Sequence, residues 1–416
     1  MPQRPLIALA DPNWIGHRAT YFREFVRSLN RVDADVIALC PDPASLDDLQ
    51  NAGDLHAPKL MRGQLTEPAR LPLLGRWPQD PVNTQLRWHR LASALRRVEK
   101  ENRRTADFLF LPWLDCYLRA SLNHRLSFAQ ICLPWAGLYF RSHHLTEQNR
   151  RAPNLKLFFQ AFAKGDALLQ ANSCRAVATL DETLRSVLEK TSRKQVILFP
   201  DITDESQPDA ATPFARQIRD TARGRKVIGL IGMEPRKGVV TMLRAADIAR
   251  GEGRPWLFVL AGVYYPEAYP ADERRFIDEQ ITRSRDAALD SNVLFPPEFV
   301  PVPDGAVYNG VAETFDVLFV AYHDFLGSSN VLTKAAILKK PVVCTDLGCI
   351  AQRTKIYDLG LVIPQGDATA CCAAIERAIK GVNWNDAPLL PRHAEYYSLH
   401  DRAALDASMR QLIALI

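Results

Sequence analysis

No apolar run in the sequence approaches the eighteen or so residues that a membrane-spanning helix needs. Met1-Pro2-Gln3-Arg4-Pro5 leads directly into a short strand-like run rather than a signal-peptide core, which points to a cytoplasmic protein. The eight cysteines form no CxxC pair, and several stand in apolar runs where a free thiol packs as a small hydrophobe. Neither a disulfide framework nor a zinc site is therefore indicated. Charge of one sign is also scarce. A net +5 over 416 residues gives little reason to expect a nucleic-acid partner. The densest basic run, from Arg96 to Arg104, is of the kind a solvated helix face carries. Internal repeats and low-complexity tracts are missing too.

What is present is an ordinary packed chain. Hydrophobic residues at 47% and charged residues at 24% match soluble globular proteins and exclude disorder as the main state. The length exceeds one comfortable core, so two domains of roughly 200 residues each are expected. Short apolar runs alternate with longer amphipathic stretches throughout, the pattern of βαβ units and parallel sheets.

In the first half the predicted strands are Leu6 to Ala10, Asp35 to Leu39, Phe108 to Leu111, Ala129 to Leu133, Ala167 to Leu169, Ala176 to Thr179 and Val196 to Phe199. From Asp201 to Arg225 the composition turns to Asp, Thr, Ser, Pro and Gln, which reads as an inter-domain linker. The alternation then restarts with Val227 to Ile231, Trp256 to Ala261, Val293 to Phe295, Val317 to Val320, Pro341 to Cys344 and Leu361 to Ile363. The expected organisation is a first Rossmann-like domain over 1–205, a linker over 206–225, a second over 226–397, and a C-terminal helix over 398–416. That helix carries Leu405, Met409, Leu412 and Ile413 on one stripe and can pack on either domain.

Ligands of such sheets bind beyond the carboxyl ends of the strands. Two turns there draw attention. The first is Ile231-Gly232-Met233-Glu234-Pro235-Arg236-Lys237-Gly238, which follows a strand and precedes an amphipathic helix. It sets Arg236 and Lys237 beside a helix N-terminus, where free amides and the helix dipole favour phosphate. A diphosphate site and a plain basic turn weigh equally on this run alone. The second is the stretch from Val320 to Ala336, where Gly327-Ser328-Ser329-Asn330 joins a strand to a helix. Its serines can cap the helix while its amides face an anion, and the two roles do not exclude one another.

These segments resemble the second domain of the family-4 retaining glycosyltransferases and their GT-B relatives. The likeness covers most of the chain and is clearest from Val227 to Ile379. It rests on the Lys237-Gly238 turn, Asn292-Val293-Leu294-Phe295, the turn and helix from Gly327 to Ala336, Pro341-Val342-Val343, and Gly360-Leu361-Val362-Ile363-Pro364 with Asp367. More loosely, Asp11-Pro12-Asn13-Trp14-Ile15-Gly16-His17, before a helix with Tyr21, Phe22, Phe25, Val26 and Leu29, is similar to the family's acceptor-side loop.

The resemblance implies an α/β protein of two Rossmann-like domains facing a central cleft, the GT-B fold. It implies transfer of a sugar from a nucleotide-sugar donor, bound mainly by the second domain, to a sugar or lipid-linked acceptor held by the first. A resident cofactor or obligatory metal is not implied. The residues it assigns to the donor pyrophosphate are Gly232, Arg236, Lys237, Gly327, Ser328, Ser329 and Asn330, with Val300 and Lys334 at the nucleoside. His17 is the candidate for orienting a substrate or acting as a base, against the plainer reading of an exposed helix-start histidine.

The sequence departs from the family at three places. The E-x7-E glutamates fall on Leu326 and Lys334, leaving Asp324, two residues upstream, as the candidate carboxylate. The arginine after the second-domain glycine falls on Met233. The first-domain histidine is replaced by Pro134-Trp135-Ala136-Gly137, with His143 and His144 further on. Two readings stay open: an active transferase with an altered donor site, and a degenerate relative that binds a partner or ligand without turnover. A nucleotide-sugar epimerase is a distant third. The aromatic, basic segment from Arg150 to Lys164 fits peripheral contact with an anionic membrane or a half-buried helix, and its apolar count favours the helix.

Overall fold

The computed structural model describes residues 4–14, 16–50, 57–69, 81–118, 131–140, 169–286 and 288–416. The chain divides into two compact units, Met1–Ile202 with His400–Ile416, and Thr203–Leu399.

The first unit is built on a parallel sheet of seven described strands: β1 (Leu6–Ala10), β2 (Asp35–Cys40), β3 (Leu60–Gln64), β4 (Phe108–Leu111), β5 (Trp135–Leu138), β6 (Cys174–Thr179) and β7 (Gln195–Leu198). Their order is β3-β2-β1-β4-β5-β6-β7. Because successive side chains leave opposite faces of a strand, β1 feeds two cores. Leu6, Ala8 and Ala10 join Trp88, Leu91 and Leu95 of helix Pro81–Asn102. Ile7 and Leu9 join Phe22, Phe25 and Leu29 of helix Arg18–Arg31. Every residue of β1 and β2 is buried, as a sheet covered on both faces requires.

The C-terminal helix, Arg402–Ile413, belongs to this unit. Leu405, Met409 and Leu412 are buried in the core shared with helix Arg18–Arg31. Its Asp406 carboxylate accepts from Arg31 Nη2 at 2.8 Å, and the Ser408 hydroxyl donates to the Leu198 carbonyl at 2.8 Å.

The second unit repeats the plan with six described parallel strands: β8 (Lys226–Met233), β9 (Trp256–Tyr264), β10 (Val293–Leu294), β11 (Val317–Val320), β12 (Val342–Thr345) and β13 (Gly360–Ile363). They run β10-β9-β8-β11-β12-β13. The order reverses between β8 and β11, whose pairing sets Val317 opposite Ile228. Ligands of open α/β sheets bind beyond the strand ends at such a switch point. Both units are thus Rossmann-like α/β folds.

Several sequence expectations shift. The stretch read as a linker contains helix Pro213–Ala222, started by a proline at its first position and seated by Ala215, Ile218 and Ala222 against Val227, Leu257 and Val311. Two of those three seats are alanines, which contribute little to an apolar count yet fill a shallow groove. The strand expected at 129–133 falls on Trp135–Leu138 instead, with residues 131–134 outside any strand. Residues 129 and 130 lie outside the described residues, as do 167 and 168, while Leu169 is helical. The edge strand β3 went unread because only Leu60 and Met61 of its five residues are buried. Among the described residues no helix is long and apolar enough to cross a membrane. The segment from Arg150 to Lys164, with His143 and His144, lies outside the described residues.

Candidate functional site

The carboxyl ends of β8 and β11 bring the two predicted turns of the second unit together. After β8 the chain makes a short helical turn, Pro235–Lys237, and enters helix Val239–Gly251 through Gly238 at φ 76°. A side chain at Gly238 would place its Cβ 2.2 Å from the Ala321 carbonyl, so only glycine lets this turn rest on the end of β11. The His323 amide donates to the Arg236 carbonyl at 2.8 Å and fixes the same contact from the other side.

Tyr322, the second residue after β11, joins the turns through its side chain. The Lys237 ammonium donates to the Tyr322 hydroxyl at 2.7 Å and lies 4.4 Å from its ring centroid. That hydroxyl is 3.3 Å from the Ser329 Oγ. The Arg236 guanidinium lies 5.8 Å from the Tyr322 ring and 5.3 Å from that of Phe325, within cation–π range. Neither Arg236 nor Lys237 has a carboxylate partner among the described residues. Two cations are thus held by aromatic rings and a neutral hydroxyl, with no carboxylate of the described residues in ion-pair contact.

The second turn is supported from β12. Helix Asn330–Ile337 begins at Ser329, which makes no side-chain capping bond, contrary to the expectation that the serines cap it. The Ser329 hydroxyl instead faces Tyr322. Buried Arg353, on helix Gly348–Ile356, donates to the Ser328 hydroxyl at 2.5 Å. The Cys349 amide donates to the Leu326 carbonyl at 2.9 Å, and the Thr345 hydroxyl to the Tyr322 carbonyl at 2.7 Å. Helix amides, Arg353 and the two free cations all lend the turn positive potential.

Around this centre the remaining predicted residues scatter. Asp324 is exposed at φ 47°, its amide accepted by Gln365 Oε1 at 2.7 Å and its carboxylate met by Gln365 Nε2 at 3.3 Å. His323, which the sequence reading passed over, holds the Thr241 hydroxyl at 2.9 Å from its Nε2. Burial pushes its pKa below the ordinary histidine value, against the opposing charges of Asp324 and Glu273. Val300 is 54% exposed in the loop after β10, open to a ligand but fixed by no packing.

Lys334, expected at the nucleoside, is tied to groups of its own unit. It is buried, and its ammonium donates to Asn309 Oδ1 at 2.5 Å and to the Asp204 carbonyl. Asn309 continues the network to the Ser206 carbonyl at 2.6 Å. Burial lowers the ammonium to about 8, while the carboxylates of Asp304, Asp204 and Glu205 pull the other way. This cation fastens residues 204–206 to helices Ala306–Glu313 and Asn330–Ile337.

In the first unit, His17 stands half-exposed at the start of helix Arg18–Arg31 and makes no capping bond. Its neighbours carry a feature unread in the sequence. Buried Asp11 accepts from Arg18 Nε at 2.9 Å and pairs with its Nη2 as well. Burial raises Asp11 to about 6 in spite of Arg18. The guanidinium also lies 4.5 Å from the Trp113 centroid, and Trp113 stacks on Phe140 at 3.9 Å.

Comparison with known proteins places this geometry. The family described as "Glycosyl transferases group 1" matches residues 225–381, the segment that holds both turns. No curated protein sequence matches the chain. Solved structures match the whole length. The sucrose-phosphate synthase of Thermosynechococcus elongatus is 18% identical, covers 99% of this chain and 98% of its own, and has a TM-score of 0.64. An E. coli structure titled as trehalose-6-phosphate bound with UDP-2-fluoro glucose is 11% identical, with 99% of each chain covered and a TM-score of 0.67. Anabaena HepE in complex with UDP-glucose is 14% identical, covers 99% and 100%, and has a TM-score of 0.64. The chain therefore has the GT-B fold, and its residues 225–381 are similar to the family described as "Glycosyl transferases group 1".

Proposed function

We propose that the chain is a glycosyltransferase whose donor, a nucleotide sugar, lays its diphosphate between the β8 turn and the Gly327-Ser328-Ser329 turn. The observation that carries this reading is the pair Arg236 and Lys237, cations that have no carboxylate partner among the described residues, beside the Ser329 helix start. In the transfer the bond from the anomeric carbon to the diphosphate oxygen breaks and a bond to an acceptor hydroxyl oxygen forms. The acceptor proton leaves to the departing phosphate or to solvent. Negative charge grows on the leaving diphosphate, where Lys237, Arg236 and the turn amides stabilise it. These fixed charges do the work a metal would otherwise do, which supports a metal-independent reaction. Sheet placement supports assigning Gly232 and Asn330 to the same diphosphate wall and Val300 to the nucleoside.

Asp324, pinned by Gln365 at the end of β11, serves the donor sugar on this reading, and retention of the anomeric configuration follows from the family likeness. His17 serves the acceptor, whose identity as glycan, lipid-linked sugar or small molecule the site chemistry leaves to experiment. The binding-protein alternative is favoured by one observation: the Lys334 ammonium is committed to Asn309 and to the Asp204 carbonyl. Both are tested by incubating the chain with UDP-, GDP- and ADP-sugars and a panel of acceptors. Release of nucleoside diphosphate that Lys237→Ala abolishes supports the transferase. Saturable binding with no release from any donor would leave only the binding protein.

A further inference from the structure

The β8 turn holds one group that diphosphate binding does not use. Glu234 Oε2 is shielded from solvent and has no hydrogen-bond partner among the described residues. It folds back over Gly232: a Cβ built there would lie 2.9 Å from Glu234 Oε2 and 3.2 Å from Lys237 Cε. Carboxylate and lysine stem therefore lie side by side over a residue that has no side chain to displace them. The Glu234 charge is also felt by the Tyr308 phenol. Burial first, and then the Tyr322, Asp304 and Glu234 charges, push that phenol up.

A shielded carboxylate oxygen that accepts nothing is costly, so a native site keeps one where a donor arrives with the ligand. A phosphate cannot be that donor, since both groups are anionic. Hydroxyl groups can. In a nucleotide sugar the diphosphate is flanked on both sides by vicinal hydroxyls, those of the ribose and those of the sugar.

We propose that Glu234 accepts hydrogen bonds from a vicinal diol flanking the donor diphosphate, and so selects nucleotides that carry it. The inference rests on the diphosphate reading above. Within it, Lys237 neutralises the diphosphate while Glu234 reads the neighbouring hydroxyls.

The test is isothermal titration of the full chain and of its Glu234→Gln and Glu234→Ala variants. The probes are UDP, GDP and ADP, their 2′-deoxy counterparts, and UDP-glucose, GDP-mannose and ADP-glucose. For the nucleotide that the unaltered chain binds, Glu234→Gln is expected to weaken binding roughly tenfold or more, the scale of a charge-assisted hydrogen bond. If the ribose is read, that loss appears with the ribonucleotide and vanishes with its 2′-deoxy counterpart. If the sugar is read, it appears only with the nucleotide sugar. Equal or tighter binding of every probe by Glu234→Gln, as removal of a nearby negative charge alone would give, overturns the proposal and leaves the diphosphate site standing. Failure of the unaltered chain to bind any probe overturns both. Melting temperatures without ligand check that the variants fold.

Discussion

The loops after β1 and after β8 occupy the same place in their sheets, each following the strand beside the switch point and feeding a helix. Their charges are handled in opposite ways. In the first unit Arg18 is closed off by buried Asp11 and laid on Trp113, so its charge is spent inside the unit. In the second, Arg236 and Lys237 rest on Tyr322 and Phe325 with no carboxylate partner among the described residues, so their charge remains for a ligand. The same contrast recurs within the second unit, where Lys334 is spent on Asn309 and Asp204. A basic residue near a strand end thus reports an anion site only when no carboxylate pairs with it directly.

Breaking the closed pair should have the largest effect. Arg18→Met leaves buried Asp11 without its counter-charge, which should cost about 3–5 kcal/mol of stability, whereas Arg236→Met should cost almost nothing. Urea denaturation of both variants checks the difference, and equal losses would remove the distinction between spent and available cations.

The Lys334 contrast is read by pH. Its ammonium is lowered from 10.5 in the unfolded chain to about 8 in the fold, so between those values the unfolded chain binds more protons. The contribution to stability is full above the unfolded value and is lost as pH falls through about 8, with a span of about 3 kcal/mol. Lys334→Met should flatten this rise relative to the unaltered chain in denaturation curves between pH 7 and pH 10. An unchanged slope would show that the ammonium is not buried in this way.

The smallest expected effect sharpens the site itself. Tyr322→Phe keeps the ring under Lys237 but removes the hydroxyl shared with Ser329, and should weaken nucleotide binding by about 1 kcal/mol, near fivefold. A titration that finds no change would place the hydroxyl outside the site.

How far the sequence could be read follows from the same distinction between local and distant causes. The strands β1, β4 and β11 were legible to the residue because each is an unbroken apolar run buried on both faces. β3 was not, since an edge strand with two buried residues lacks that signal. β5 was displaced because Ile131-Cys132-Leu133 is as apolar as the strand that follows it.

In the site, Arg236, Lys237, Ser328 and Ser329 were visible because turn chemistry is local. Tyr322 stood inside the quoted stretch, one residue past the strand-end rule, but its bond to Lys237 spans 85 positions. Arg353 behind Ser328, and the Asp204 and Asn309 partners of Lys334, are long-range contacts with no pattern along the chain. The Asp11 and Arg18 pair is the exception: seven residues apart on a strand end and the next helix, it was available to a reading that paired opposite charges across the first βα turn.

The central claim is that the unpaired cations Arg236 and Lys237, where the β8 turn meets the end of β11, hold the donor diphosphate. Its most direct test is the melting temperature of the chain and of Lys237→Ala with UDP, GDP, ADP and their sugars, since a ligand that binds only the native state raises it. The account predicts a rise with at least one nucleotide that is lost or nearly lost in Lys237→Ala, while the ligand-free melting temperatures agree. A nucleotide-induced rise of equal size in both proteins would contradict it.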